Sequence, residues 1–298
     1  MIVGVIGLGK MGLQIARKLA AAKFKVIGYD PNSAALPADA VSTIDIATTM
    51  TELAQKVEIA WTMVPAGEIV DTCIFEIAPH LRSNAIVIDG GNSFYKDSIR
   101  RAQSLETKGL HFLDCGTSGG THGLEHGFSL MVGGNEEAFK RATPIFKVLA
   151  APGGFGHVGQ AGAGHFVKMV HNGIEYALLQ GYSEGFHILR EGPYKDLDLA
   201  AISTIWQNGS VIRSWILALA QSVFEQDQQL THVNGHIDEN KTGRWTLEAA
   251  NELNIPVPAI KAALDSRSFS RETGGNFATK VVAMLRNAFG GHAVKRKE

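Results

Sequence analysis

Short apolar runs rich in β-branched residues alternate with amphipathic segments of helical length from Ile2 to about Gly133. Strands that alternate with helices in this way build a parallel sheet with helices on both faces. The apolar runs predict six strands: Ile2–Ile6, Lys25–Tyr29, Ile59–Val64, Ala85–Asp89, Phe112–Cys115 and Leu130–Val132. The first part of the chain is therefore predicted to be an α/β unit with a doubly wound parallel sheet.

The pattern changes after a glycine-rich passage at Pro152–Gly164, because strand signals almost vanish and long helical periods follow. This passage is interpreted as the domain boundary, with one domain at residues 1–162 and an all-α domain at residues 163–298. The tail Lys295–Glu298 is expected to fray. Six helices are predicted: Ala163–Arg190, Leu197–Gln207, Val211–Glu225, Arg244–Leu253, Pro258–Asp265 and Asn276–Ala288.

Composition narrows the class of protein. The 298 residues are 45% hydrophobic and 19% charged, with a formal net charge of −1, which gives no electrostatic reason to expect nucleic acid or a membrane as partner. No apolar run reaches the roughly 18 residues of a membrane span. Two cysteines, Cys73 and Cys115, are too few for a disulfide framework. A cytoplasmic location is expected.

A glycine motif, G-x-G-x-x-G, occupies residues 7–12 between the first strand and an amphipathic helix at Met11–Ala22. In that context the glycines let a pyrophosphate approach backbone N–H groups at a helix N-terminus, as in a Rossmann-type dinucleotide-binding domain. Asp30 ends the second strand, where a carboxylate accepts hydrogen bonds from the adenosine ribose. It would repel a 2′-phosphate, so NAD is favoured and NADP is possible. The motif residues are Gly7, Leu8, Gly9, Lys10, Met11 and Gly12.

Polar side chains in the first long helix of the second half, GHFVKMVHNGIEYALLQ, lie on one face. At about 100° per residue, Lys168, His171, Asn172 and Glu175 fall within one arc, with Tyr176 at its edge. The flanking residues are apolar, so this face is interpreted as a polar seam in a mostly buried helix. The plain alternative is a lysine and a glutamate that neighbours satisfy.

Two loops follow consecutive strands at the edge of the sheet where ligands of such folds bind. Asn92 in the segment Asp89–Ser93 is expected to face a nicotinamide. The segment Cys115–Gly120 offers backbone N–H groups and a hydroxyl for a carboxylate.

Together these segments resemble the 6-phosphogluconate dehydrogenase family, within the β-hydroxyacid dehydrogenase superfamily. The motifs IGLGKMG, IDGGNS, TSGG, the long helix, TGRW and LRNAFGGH occur in the family's order over nearly the whole chain. The last two are generally missing from the wider superfamily. The resemblance implies NAD(P)-dependent oxidative decarboxylation of 6-phosphogluconate to ribulose 5-phosphate.

The same resemblance implies the role of each residue. Lys168 would be the general base at the 3-hydroxyl and Glu175 the acid that protonates the enediol. No metal would be needed. The substrate is expected to contact Asn92, Ser118, Gly119, Gly120, His171, Asn172, Tyr176, Thr242, Arg267, Arg286 and His292. Val64 and Pro65 are expected to contact the cofactor.

This chain departs from the family in length and at one position. It looks like a short form, with little more than one helical set, and Asn240 stands where longer relatives have a phosphate-binding lysine. Lys241 is adjacent to that position. The resemblance further implies a homodimer or a tetramer of dimers, in which the tail with Arg286 and His292 completes the neighbour's site.

Two alternatives stay open from the sequence. One is another β-hydroxyacid dehydrogenase, acting without decarboxylation on 3-hydroxyisobutyrate or tartronate semialdehyde. The other is a catalytically inactive nucleotide-binding sensor. The presence of both Lys168 and Glu175 argues against the sensor.

Overall fold

The chain folds into two compact units, Met1–Met169 and Val170–Glu298. The computed structural model describes residues 1–38 and 42–296. The boundary predicted from the sequence lies before the helix Ala163–Glu191, whereas the contacts divide the chain inside it.

An eight-stranded sheet forms the centre of the first unit, in the spatial order β3-β2-β1-β4-β5-β6-β7-β8. Neighbouring strands are parallel except for β6 and β7, which are antiparallel. The strands are β1 (Ile2–Ile6), β2 (Lys25–Tyr29), β3 (Asp45–Ile46), β4 (Ile59–Thr62), β5 (Ile86–Asp89), β6 (His111–Ser118), β7 (Phe128–Gly134) and β8 (Ala150–Gly159).

Helices cover both faces of this sheet because successive strand residues point to opposite sides. Val3, Val5 and Trp61 belong to one buried cluster, while Ile6 and Ala60 belong to a second. This arrangement confirms the predicted doubly wound α/β fold. The helices of this unit are α1 (Lys10–Ala21), α2 (Met50–Lys56), α3 (Glu68–Ile77), α4 (Tyr95–Glu106), α5 (Gly123–His126) and α6 (Glu136–Leu149).

The edge strand β8 was not predicted, although it takes up most of the glycine-rich passage at Pro152–Gly164. Phe155 at its centre packs against the buried cluster, and His157 bonds through Nε2 to the carbonyl oxygen of Gly134 at 2.8 Å. Glycines weaken the strand signal in sequence, and tertiary pairing with β7 overrides that weakness. The short strand β3 was also missed.

The second unit is helical, as expected. The helix α7 (Ala163–Glu191) begins in the first unit and continues into the second. Five more helices follow it: α8 (Leu199–Gln207), α9 (Trp215–Gln226), α10 (Lys241–Glu252), α11 (Pro258–Thr273) and α12 (Phe277–Gly290). The predicted end of α11 at Asp265 was too early, because its polar continuation packs Arg267 and Ser270 inside the protein.

Two further expectations need correction. The described part of the tail is paired rather than frayed: Lys295 accepts a hydrogen bond from the Asn234 backbone at 2.9 Å, and Arg296 forms a bridge with Val233. Residues 297 and 298 lie outside the described residues. Helix α7 is also less buried than predicted, since Ile174 and Ile188 are 54% and 72% exposed. Within residues 1–38 and 42–296, no helix is long and apolar enough to cross a membrane.

Candidate active site

The glycine motif forms a tight turn between β1 and α1. Gly7 has φ +88°, and a Cβ on Gly12 would lie only 1.9 Å from the Gly7 carbonyl oxygen. Gly9 caps α1, no side chain caps this helix end, and its first turn carries no acidic residue. The N-terminal end of this 12-residue helix is therefore suited to bind an anion.

A cleft of about 430 Å³ opens above this turn. A Cβ on Gly9 would meet no atom within 4 Å, so the space beside the helix end is open. The uncapped helix end and the open space fit a dinucleotide pyrophosphate. The cleft is lined by Gly9, Lys10, Met11, Gly12, Met63, Val64, Pro65, Ala66, Gly90, Gly91, Asn92 and Thr117. It thus brings most of the predicted cofactor residues together.

Asp30 lies just after β2 and its carboxylate is held by two backbone groups. Oδ2 accepts a hydrogen bond from the Leu8 N–H at 2.8 Å, and Oδ1 accepts one from the Asn32 N–H at 2.8 Å. Asp30 therefore fixes the glycine turn as well as presenting negative charge where an adenosine ribose would bind.

The two predicted loops follow neighbouring strands. Asn92 is exposed beyond β5, and Ser118 ends β6. Gly119 and Gly120 have φ +124° and +53°, a conformation that favours glycine and turns successive N–H groups toward one side. Thr117 donates a hydrogen bond to the Gly90 carbonyl at 3.4 Å, which joins the two loops.

The start of α7 is fixed against β6 by Asp114, which is fully buried. Its Oδ1 accepts a hydrogen bond from the Gly162 N–H at 2.7 Å, and its Oδ2 accepts one from the His165 N–H at 2.8 Å. Lys168 follows one turn later and is 8% exposed. Its aliphatic stem packs on Gly116, where an added Cβ would lie 2.3 Å from the Lys168 Cβ.

The rest of the polar seam lies in the second unit. Asn172 is buried and its Oδ1 lies 3.1 Å from His171 Nδ1. Tyr176 is 3% exposed and donates a hydrogen bond to Asn240 Oδ1. The hydroxyl of Thr242 donates to the same oxygen at 2.6 Å. Asn240 therefore holds the two predicted substrate-binding hydroxyls together.

Arg267 is a buried cation beside Tyr176. It is 2% exposed, and its Cζ lies 3.3 Å from the centroid of the Tyr176 ring. Among the described residues, neither Nη1 nor Nη2 has a hydrogen-bond partner. Burial lowers the pKa of Arg267 to about 10, and the nearby charge of Arg286 acts in the same direction. Burial likewise lowers the pKa of Arg286.

This pair of buried guanidinium groups is suited to a multiply charged anion, because each fork presents several donors. Glu175 and Glu239 raise the pKa of Arg267 without restoring its ordinary value. His292 lies after α12, where its ring contacts that of Phe289 edge to face at 6.2 Å.

Some residues of these sites were not expected from the sequence. Thr117 lines the cleft, and no role was predicted for Asn240, which stands where longer relatives have a lysine. The sequence did indicate that Asn240 belongs to the site, because it lies two residues before Thr242, which was predicted to bind the substrate. Within the described residues, no cluster of His, Cys, Asp and Glu side chains could hold a metal ion.

Two family models cover the chain and meet at the start of α7. Residues 2–166 match the NAD binding domain of 6-phosphogluconate dehydrogenase, and residues 164–298 match its C-terminal domain. The chain belongs to the 6-phosphogluconate dehydrogenase family. It is 43% identical over 300 residues to a NAD(+)-dependent, decarboxylating 6-phosphogluconate dehydrogenase of Haloferax volcanii, with 99% of each chain covered.

Longer members of the 6-phosphogluconate dehydrogenase family match over part of their length. The decarboxylating enzyme of Aggregatibacter actinomycetemcomitans is 35% identical, and the match covers 90% of this chain and 59% of that protein. The Plasmodium falciparum 6-phosphogluconate dehydrogenase structure has a TM-score of 0.82 at 28% identity, covering 91% of this chain and 62% of that chain. This chain spans about 60% of the length of these two relatives.

The fold is shared with the wider superfamily. The structure of Mycobacterium tuberculosis 3-hydroxyisobutyrate dehydrogenase superposes with a TM-score of 0.75 at 22% identity, over 96% of this chain and 99% of that one. At this identity the likeness concerns the fold alone.

Proposed function

We propose that this protein catalyses the NAD-dependent oxidative decarboxylation of 6-phosphogluconate to ribulose 5-phosphate and carbon dioxide. The observation that carries the proposal is the buried guanidinium of Arg267 near Arg286, whose Nη1 and Nη2 find no hydrogen-bond partner among the described residues. A buried cation without a partner is costly, and a phosphate dianion supplies the missing acceptors. The full-length relative from Haloferax volcanii bears the name of this activity.

Phosphate recognition would draw on the groups around Arg267. The hydroxyls of Tyr176 and Thr242 each donate their single proton to Asn240 Oδ1, so each would have to turn from that oxygen to the phosphate on binding. Asn240 supplies a neutral amide where longer relatives have a lysine. The positive charge of the site would come from the guanidinium groups of Arg267 and Arg286. His292 is proposed as a further phosphate ligand on the family pattern.

Lys168 and Glu175 would perform the proton transfers from one continuous helix. They are seven residues apart, which places their Cα atoms about 10 Å from each other along α7. Lys168 would accept the proton of the 3-hydroxyl, and Glu175 would donate a proton to C1 of the enediol left after loss of carbon dioxide. Bound NAD would accept the hydride from C3.

The remaining seam and loop residues would orient the sugar acid. Ser118, Gly119 and Gly120 are proposed to bind the substrate carboxylate, with His171 and Asn172 on its hydroxyls. Asn92 is proposed to contact both substrate and nicotinamide. Asp30 supports a preference for NAD, with NADP as a weaker cofactor, because a 2′-phosphate would meet its carboxylate.

The domain roles and the assembly are also proposals. The first domain, predicted at residues 1–162, would bind the cofactor, and the helical domain at residues 163–298 would bind substrate and another copy of the chain. Ile174, Leu178 and Ile188 are exposed on α7, and such an apolar face is suited to an interface. A homodimer, or a tetramer of dimers, would cover it.

The tail need not be exchanged in full for this site to form. The charge of Arg286 lowers the pKa of Arg267 within one chain, which supports a guanidinium pair supplied by a single subunit. Only His292 would then complete the site of a neighbouring subunit. We propose a cytoplasmic location, supported by Cys73 and Cys115, which are both free and buried.

The test is to mix purified protein with 6-phosphogluconate and NAD or NADP, and to follow cofactor reduction together with released carbon dioxide. Reduction with an equal amount of carbon dioxide, faster with NAD, is expected. Gluconate without phosphate is the matched control and should react poorly. Reduction with 3-hydroxyisobutyrate and none with 6-phosphogluconate would overturn the proposal in favour of the non-decarboxylating branch.

A further inference from the structure

Arg101 is a fully buried cation inside the first unit, on helix α4, with 0% exposure. Its Nε donates to Asp71 Oδ1 at 2.7 Å, its Nη1 to Asp89 Oδ2 at 3.2 Å, and its Nη2 to the Gly67 carbonyl oxygen at 3.1 Å. The guanidinium thus binds three different groups in three directions.

Those three partners lie next to the two walls of the cofactor cleft in the chain, although none of them lines it. One wall is residues 63–66, which continue into Gly67 and then into α3, where Asp71 lies. The other wall is residues 90–92, which follow Asp89 at the end of β5. Asp89 also accepts a hydrogen bond from the Gly91 N–H through Oδ1 at 3.1 Å. Arg101 therefore connects the backbones of both walls.

The connection requires an arginine. A planar fork can reach three acceptors at fixed angles, whereas an ammonium on a flexible stem cannot span them all. Burial by itself would raise the pKa of Asp71, but hydrogen bonds from Arg101 and Arg100 bring it below its usual value. Asp71 is therefore ionised at neutral pH. Buried ion pairs often add little to the free energy of unfolding. Their other known role is to hold neighbouring segments in one defined arrangement.

We propose that Arg101 is a positioning residue that sets the separation of the two cleft walls and thereby the affinity for the dinucleotide. The proposal rests on the proposed NAD-dependent function only in that this cleft takes the cofactor. Arg101 does not line the cleft, so its effect passes through Gly67 and Asp89.

The test compares Arg101→Lys with Arg100→Gln. Arg100 is the matched control because it is adjacent and half exposed, and among the described residues its hydrogen bonds go to Asp71 and Asp97 but not to Gly67 or Asp89. NADH binding is measured by fluorescence titration, and amide hydrogen exchange is measured on the cofactor-free protein. Neither measurement needs the sugar substrate, so loss of 6-phosphogluconate turnover would refute the proposed function and leave this inference standing.

Arg101→Lys should weaken NADH binding by about tenfold or more, because both walls lose their fixed spacing. Exchange should become faster in peptides that cover residues 63–67 and 89–92, and stay unchanged in a peptide that covers 241–252. Arg100→Gln should stay within about twofold of the parent in both measurements. NADH binding by Arg101→Lys within that range, or exchange that rises equally throughout the chain, would overturn the proposal.

If Arg101→Lys does not fold, Asp71→Asn tests the same idea. It weakens the link to one wall only, so exchange should rise in residues 63–67 and not in residues 89–92. Equal increases in both segments, or in neither, would contradict a connection through Arg101.

Discussion

Substitution of Gly116 by alanine should displace the proposed general base without removing any functional group. An added Cβ would lie 2.3 Å from the Lys168 Cβ, 2.8 Å from the Gly164 carbonyl oxygen and 3.1 Å from the Lys168 Cγ. Non-bonded carbon atoms prefer about 3.5–4.0 Å. The start of α7 must therefore move away from β6 by about 1 Å.

That movement is opposed by the hydrogen bonds from Gly162 and His165 to Asp114, which are 2.7 and 2.8 Å long. We expect a loss of stability of about 1–3 kcal/mol, which is typical of an overpacked core. A displacement of about 1 Å at a catalytic group can lower the rate by about a hundredfold. The expected result is a decrease in kcat of about that size, with a much smaller change in NADH affinity, because Gly116 does not line the cleft and only its neighbour Thr117 does.

The assay is steady-state turnover of 6-phosphogluconate with NAD, together with NADH titration and thermal unfolding. Substrate deuterated at C3 adds a specific readout, because a misplaced base should make the oxidation step more rate-limiting and increase the isotope effect. Gly156→Ala is the matched control, since its Cβ would meet no atom within 4 Å. A kcat within about threefold of the parent, in a protein whose melting temperature has fallen, would refute the reasoning.

Four further substitutions test the other assignments. Lys168→Met should abolish NAD reduction while 6-phosphogluconate binding stays within about tenfold; near-normal turnover would contradict the base role. Glu175→Gln should slow release of ribulose 5-phosphate more than NAD reduction, giving a burst of NADH in rapid mixing; without a burst the acid role is lost. Asp30→Ser should narrow the gap between NAD and NADP in kcat/KM, and an unchanged ratio would place selectivity elsewhere. Arg267→Met should raise the melting temperature of the ligand-free protein and remove its protection by 6-phosphogluconate. Folding lowers the pKa of Arg267 to about 10, so the charged side chain opposes folding at every pH below that value. The increase in melting temperature should therefore persist from mildly acidic to mildly alkaline pH. A lower melting temperature would contradict this.

The sheet was predictable where strands are buried on both faces. Such strands are read as continuous apolar runs, as in Ile86–Asp89, and their order along the chain implies the helices between them. The edge strand β8 was not predictable, because its stability comes from pairing with β7 and from Phe155 rather than from its own glycine-rich sequence.

The polar seam on α7 was predictable because helical periodicity alone places its residues on one face. Periodicity does not tell which other face remains exposed, so the solvent-exposed Ile174 and Ile188 were missed. The role of Arg101 was equally hidden. Arginine on an amphipathic helix ordinarily faces solvent, and only the folded structure shows that Asp71 on α3 and Asp89 on β5 pair with Arg101 inside the protein.

The burial of Arg267 shows how stability and function are linked in this fold. Spacing on α11 places Arg267 on the same face as Ala263 and Ser270, but sequence cannot show that no acceptor meets it there. The ring of Tyr176 compensates through a cation–π contact, which is weaker than a pair of hydrogen bonds to an anion. The remaining cost disappears only when an anion binds. In the proposed function, the affinity for a phosphorylated ligand and the cost of burying Arg267 without one therefore have the same physical cause.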